Sequence, residues 1–277
     1  MKKKKKGKPI VIILSVLVIL AVIGVLWILR GNANHGLTIK PGVLSIGVEV
    51  GYPPMEYLAE DGQTLIGFDI AMGRGIAAKL GLKAEFINTT WDGIFAGLYT
   101  GRYDAIMSSA TMTQTRMESH NFSKPYIANT LAMVLRKDSK LNINSPEQCA
   151  GLNVAFQADT TSESYMDELF NKGIRYTARK YEKVMSCFDE LNTGRADVVV
   201  VDLLVAYDYI APTDSPFKIV WENHNPELFG IVMRKGNDAL TKAIDKALED
   251  MFNDGSMVKI SKDIFGMDLV TEARNEW

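Results

Sequence analysis

Histidine and cysteine are scarce in this 277-residue chain, which has three of the first and two of the second. His35, His120 and His224 are scattered, and none of their spacings resembles a metal site. There is no G-x-S-x-G elbow, no glycine loop for phosphate and no dinucleotide fingerprint. No cofactor or metal is expected. Basic charge is also short outside the N-terminus. Residues 1–30 hold seven of the 31 Lys and Arg and none of the 33 Asp and Glu, so the remainder has 24 against 33, a formal charge of −9. Nucleic-acid binding relies on basic patches, so no nucleic-acid partner is expected.

What the chain does have begins with an address. Lys2 to Lys6 and Lys8 form a basic block, and Ile10 to Leu29 then runs 20 residues without a charged side chain. That length matches the hydrocarbon core of a bilayer. The cationic flank predicts a cytoplasmic N-terminus with the rest exported. The apolar run is longer than in ordinary signal peptides, and no clear small-x-small cleavage site follows Leu29. With no Cys near its end, a lipid-modified N-terminus is excluded. Residues 1–30 therefore read as an uncleaved transmembrane anchor, with a cleaved signal peptide as the alternative. Outside the membrane a disulfide is permitted, and Cys149 with Cys187 reads equally as one disulfide or as two buried thiols.

The pattern Leu-x-Thr-Gly-Arg-x-Asp occurs twice, at Leu98 to Asp104 and at Leu191 to Asp197, and each copy runs into an apolar stretch. Both read as a helix stopped by a left-handed Gly and followed by a short buried strand. A repeat 93 positions apart suggests two similar α/β lobes. After a polar linker at 31–41, strands are expected at 43–48, 84–87, 105–107, 130–136, 152–156, 175–179, 197–201, 217–221 and 229–234. Helices are expected at 69–80, 91–100, 161–171, 183–193, 203–210 and 238–253, with a short one opened by Ser145-Pro146 and a last one after Gly255. Such alternation indicates α/β architecture. The expected division is a first lobe at 42–133, a second at 134–228, and a return to the first with C-terminal helices at 229–277. The segments at 130–136 and 229–234 are expected to cross between the lobes.

Ligands of open α/β sheets bind beyond the carboxyl ends of the strands. The repeated strands end in Ser108-Ser109 and in Asp202. Thr111, Thr113 and Thr115 lead on to Arg116, whose planar fork matches a carboxylate. Taken alone, Arg116 is as well read as a surface residue beside capping hydroxyls, and Asp202 is better read as the cap of the helix at 203–210.

The stretches Tyr52-Pro53-Pro54-Met55-Glu56-Tyr57, Gly67-Phe68-Asp69, Trp91-Asp92-Gly93, Asp104 to Arg116, Phe122-Ser123 with Pro125-Tyr126, Thr160 to Glu163 and Asp197 to Asp202 are each weak motifs, but seven stand in order. From about Val43 to Phe265 the chain resembles the polar-amino-acid-binding proteins of bacterial ABC importers, the bacterial extracellular solute-binding protein family 3. The resemblance implies a two-lobed periplasmic-binding-protein fold of type II with two crossover strands, closing on one free amino acid. It also implies roles. Arg116 would clamp the ligand α-carboxylate with Ser109, Thr111 and Thr161, Ser108 and Thr160 would also be ligand-binding, and Asp202 would take the α-ammonium. Tyr52 and Trp91 would wall the side chain, and Glu49 and Gln157 would select it. Three positions depart from the family: Met55 for the usual Phe, Asp159 for a common Gly and Ser109 for Gly.

A zwitterion needs a fixed cation and a fixed anion, since an unmatched buried charge is expensive. The function expected is a monomeric, membrane-anchored extracytoplasmic binding protein that delivers a polar or cationic amino acid to ABC permease subunits, without catalysis. One rival is an enzyme resembling cyclohexadienyl dehydratase, for which Glu49 is the only carboxylate to nominate as general acid. The other is a sensor ectodomain, which needs a further membrane span or an output domain.

Overall fold

The computed structural model describes residues 36–277. In chain order its elements are β1 (Val43–Val48), β2 (Tyr57–Leu58), β3 (Leu65–Ile66), α1 (Phe68–Leu80), β4 (Lys83–Asn88), α2 (Trp91–Tyr99), β5 (Ala105–Ile106), α3 (Gln114–Ser119), β6 (His120–Phe122), β7 (Ile127–Asn129) and β8 (Leu131–Arg136). A 3₁₀ turn at Pro146–Cys149 leads to β9 (Asn153–Gln157), α4 (Thr161–Asn171), β10 (Thr177–Tyr181), α5 (Val184–Asn192), β11 (Val198–Asp202), α6 (Leu203–Ile210) and β12 (Phe217–Glu222). The chain ends with β13 (Glu227–Phe229), β14 (Val232–Arg234), α7 (Asp238–Asn253), α8 (Ser256–Phe265) and α9 (Thr271–Arg274).

Two five-stranded sheets carry the lobes, ordered β4-β1-β5-β14-β6 and β10-β9-β11-β8-β12. The orders correspond strand for strand, and the sequence repeat is the reason. Gly101 and Gly194 both take φ near +75° (72° and 76°), so each repeat leaves its helix through a turn that glycine adopts without strain. The repeat aspartates then do the same work. Asp104 donates its N–H to Ser45 O at 2.9 Å and accepts the Ser45 N–H at 2.8 Å. Asp197 donates to Asn153 O at 2.8 Å and accepts the Asn153 N–H at 2.8 Å. Each side chain thus ties β5 or β11 to the strand beside it.

In the second sheet the apolar residues alternate with period two. Ala132, Val134, Ala155, Val199 and Val201 pack with Cys187 on one face, while Met133, Leu135, Val154, Phe156, Val198 and Val200 pack with Cys149 on the other. The thiols are buried on opposite sides of one sheet and both are free, so the disulfide alternative fails.

One expectation is displaced. The segment at 130–136 is not a crossover: β8 lies inside the second sheet, antiparallel to β11 and β12. Its near-continuous burial is that of a central strand. Likewise β14 belongs to the first sheet, between β5 and β6. The crossing segments are the shorter β7 and β13, which pair antiparallel as a separate two-stranded ladder. Among the described residues no helix is long and apolar enough to cross a membrane. The apolar run Ile10 to Leu29, read as an anchor, lies outside them.

Candidate ligand-binding cleft

The cleft is built where strands end. From the first lobe come Glu49 after β1, Tyr52, Trp91 at the start of α2, Ser108, Ser109 and Thr111 after β5, and Arg116 on α3. From the second come Gln157 closing β9, Thr160 and Thr161 at the start of α4, and Asp202 closing β11. All eleven line one cavity, with Glu56 and Ser162 beside them.

Arg116 is held by what surrounds its planar fork. Thr113 caps α3 by accepting the Arg116 N–H at 3.2 Å. The guanidinium donates to Thr111 O at 3.1 Å and, across the cleft, to Asp159 O at 3.3 Å. It lies 5.2 Å from the Trp91 ring and 5.3 Å from that of Phe95, within cation–π range. Burial lowers its pKa, against the opposing pull of Glu227 and Asp202.

Asp202 stands at the N-cap of α6 yet makes no side-chain cap bond. Its Oδ2 accepts from the Tyr52 hydroxyl at 2.5 Å, and its Oδ1 accepts from Asn129 Nδ2 at 2.9 Å. The carboxylate is therefore turned toward the cleft and the crossover rather than onto its own helix. Burial pushes its pKa up to about 7, the Glu227 charge adds to this, and the bonds from Tyr52 and Asn129 oppose it.

Glu49 is 4 % exposed, and Gln157 Nε2 spans its two oxygens at 2.9 and 2.7 Å from the opposite lobe. Burial pushes Glu49 up to about 7, against Gln157 and Lys183, while Asp92 raises it further. Other bonds cross the rim: the Trp91 indole N–H reaches Asp159 O at 3.0 Å and Lys183 Nζ reaches Val50 O at 2.8 Å. Asp159, in place of the family's Gly, holds a left-handed φ of 61°. Asp tolerates that region better than most residues, and Asp159 is fixed there by its N–H donating to Glu163 at 2.6 Å.

Two residues escaped the sequence reading. Glu227, on β13, accepts from Thr111 at 3.1 Å and from Thr161 at 2.8 Å, so it engages two of the hydroxyls expected to face a ligand. The second is Glu56, which accepts from the Ser108 hydroxyl at 2.5 Å. Glu227 lies just before the segment expected to cross at 229–234, on the β13 strand that pairs with β7 between the lobes.

The family model of bacterial extracellular solute-binding proteins, family 3, matches residues 44–267. The chain is 29% identical over 243 residues to the L-cystine-binding protein TcyJ of Escherichia coli, covering 87% of this chain and 90% of that one. Among solved structures, an ancestral arginine-binding protein bound to arginine superposes with a TM-score of 0.77 at 37% identity, over 81% of this chain and 98% of the other. The ancestral amino acid-binding protein AncCDT-1, a precursor of cyclohexadienyl dehydratase, does so at 0.73 and 34% identity, over 81% and 95%. With two corresponding lobes, a polar cleft between them and a family match over most of its length, this chain belongs to the bacterial extracellular solute-binding proteins, family 3.

Proposed function

We propose that the protein captures one free amino acid, polar or cationic in its side chain, and hands it to the permease of an ABC importer. The observation that carries this reading is the pairing of Arg116 on one lobe with Asp202 on the other around a shared cavity. A fixed cation faces a buried anion, and a zwitterion between them satisfies both. Glu49 and Gln157 then supply hydrogen-bonding capacity for the side chain. A carboxylate facing an aliphatic group would be desolvated without compensation, at about 1–3 kcal/mol. The relatives agree in kind, since TcyJ is named for L-cystine and the ancestral protein was solved with arginine.

Titration calorimetry against L-arginine, L-lysine, L-histidine, L-glutamine, L-cystine and L-leucine tests the reading. Tight binding of leucine with none of the others would overturn the side-chain class, and no binding of any amino acid would overturn the function. The membrane tether at residues 1–30 belongs to the same proposal, supported by the Lys block and the uncharged run after it. The protein should then stay with membranes through a carbonate wash, and removal of residues 1–35 should release it.

A second reading has one observation in its favour: a Glu49 carboxyl near pH 7 in its titration is suited to general-acid work. Turnover of prephenate or arogenate, lost in Glu49→Gln, would establish it. Unchanged substrate excludes it.

A further inference from the structure

Behind the cleft, two acidic side chains hold the corner made by Ser108 and Ser109. Glu56 and Asp69 are 1 % and 0 % exposed. Ser109 has a left-handed φ of 49°, which costs an ordinary L-residue about 1–2 kcal/mol and needs something to hold it. Asp69 Oδ2 does so: it accepts the Ser109 N–H at 2.7 Å and the Tyr126 hydroxyl at 3.2 Å. Glu56 Oε1 accepts from the Ser108 hydroxyl, which in turn accepts the Glu49 N–H at 3.0 Å. The remaining oxygens, Glu56 Oε2 and Asp69 Oδ1, are buried and receive no donor from elsewhere in the protein. The two side chains share one buried corner: the Asp69 N–H donates to Met55 O, next to Glu56, at 3.0 Å, and the carboxylates bond the consecutive residues Ser108 and Ser109.

Two carboxylates cannot bond to each other without a proton. We infer that Glu56 and Asp69 hold one proton between them, and that this acid–carboxylate pair positions the Ser108–Ser109 corner of the cleft. The inference rests on that cleft being the binding site. The groups that act on the pair point the same way. Glu56 faces Asp69, Glu49 and Ser108, with Tyr52 close by, while Asp69 faces Glu56, Ser109 and Tyr126; none of these is a cation. Like charges sharing a dry site cannot both ionise at neutral pH. Burial and Asp69 hold the Glu56 carboxyl well above the usual range, and burial pushes Asp69 up to about 6. While the proton is held, the pair is one hydrogen bond that fixes the Ser108–Ser109 corner. Once the proton leaves, two anions face each other and push the corner apart.

Infrared difference spectroscopy between the full-length protein and its variants at neutral pH reads the proton directly, because Glu49 and Asp202 are common to all of them and cancel. The carbonyl band of a protonated carboxylic acid should appear in both differences, lost in Glu56→Gln and in Asp69→Asn. No such band in either difference overturns the pair. Positioning is read separately with L-arginine and L-cystine as probes. Deprotonation of the ligand's α-ammonium weakens binding to both proteins alike, so affinity of the unaltered protein should fall with rising pH more steeply than that of Glu56→Gln, whose amide donates permanently, by up to about a further tenfold per pH unit once the pair loses its proton. Identical alkaline profiles in the two proteins overturn the positioning role. If neither probe binds, the amino-acid reading fails, and the infrared band still decides the pair.

Discussion

At the scale of single residues, the proposed site is a set of charges held away from their usual solvation. Arg116 is engaged by carbonyls and rings rather than by a carboxylate in bonding contact, so its donors remain suited to an incoming anion. Arg116→Ala should leave the fold intact and weaken amino-acid binding by about 2–5 kcal/mol, or roughly 30- to 4,000-fold. Calorimetry giving unaltered affinity would remove the central claim. Asp202 has the opposite problem, since its raised pKa means the ligand-free site prefers the neutral acid below pH 7. Its contribution to folding is therefore complete at low pH and lost as pH rises through about 7. Binding runs the other way, because an α-ammonium requires the carboxylate. Affinity should rise with pH up to about 7, by close to tenfold per unit, and level off above it. With a cationic side chain Glu49 adds a second proton to the release. Calorimetry in buffers of different ionisation enthalpy counts those protons, and a flat affinity between pH 5 and 8 would contradict the assignment. The eleven residues that the family resemblance marks share one cavity because they lie beyond strand ends or in the first turns of helices, and periodicity alone would have shown those places but not these residues. Glu227 and Glu56 were illegible for a physical reason. Their roles come from partners 66 and 52 positions away, and no local pattern encodes those contacts.

Among elements, the repeat was the most legible feature, and its structural content is the aspartate clamp that ends each copy. Asp197→Ala should cost about 1 kcal/mol, because it orphans two donors on the partly buried edge of Asn153. Urea unfolding followed by Trp221 fluorescence, on β12 of the same sheet, checks this, and a loss below a few tenths of a kcal/mol would make the repeat a sequence coincidence. Gly67 shows a second constraint. Its φ of 122° and the backbone of Met55 against it leave no room for a Cβ, so Gly67→Ala should unsettle the β2–β3 hairpin and the start of α1 together. Strands such as β8 were found but misassigned. A continuous apolar run reveals that a strand is buried, but which sheet takes it is decided by long-range pairing. The small pieces β2, β3, β6 and β7, of two or three residues, fall below what any period can show.

For the whole molecule, the corrected crossover changes what moves. The β7–β13 ladder is three residues long on each side and carries both Asn129, which bonds Asp202, and Glu227, which bonds Thr111 and Thr161. Rotation of one lobe against the other would therefore pass through residues that already bond Asp202 and two cleft hydroxyls, Thr111 and Thr161. Bonds such as Trp91 to Asp159 and Lys183 to Val50 favour closure without reference to a ligand, so a ligand has only the remaining difference to supply. An amino acid touching both Arg116 and Asp202 has different affinities for open and closed forms, and that difference is what shifts the population. A carboxylic acid without the α-amino group keeps Arg116 but leaves Asp202 unmatched. Small-angle scattering should show compaction with the cognate amino acid and much less with its deaminated analogue. Asn129→Ala, which removes a donor to Asp202, should narrow that contrast, because the carboxylate then titrates higher and meets the ammonium less often as an anion. Equal compaction by both ligands would mean that Asp202 takes no part in closure, and that the lobes close on the carboxylate alone.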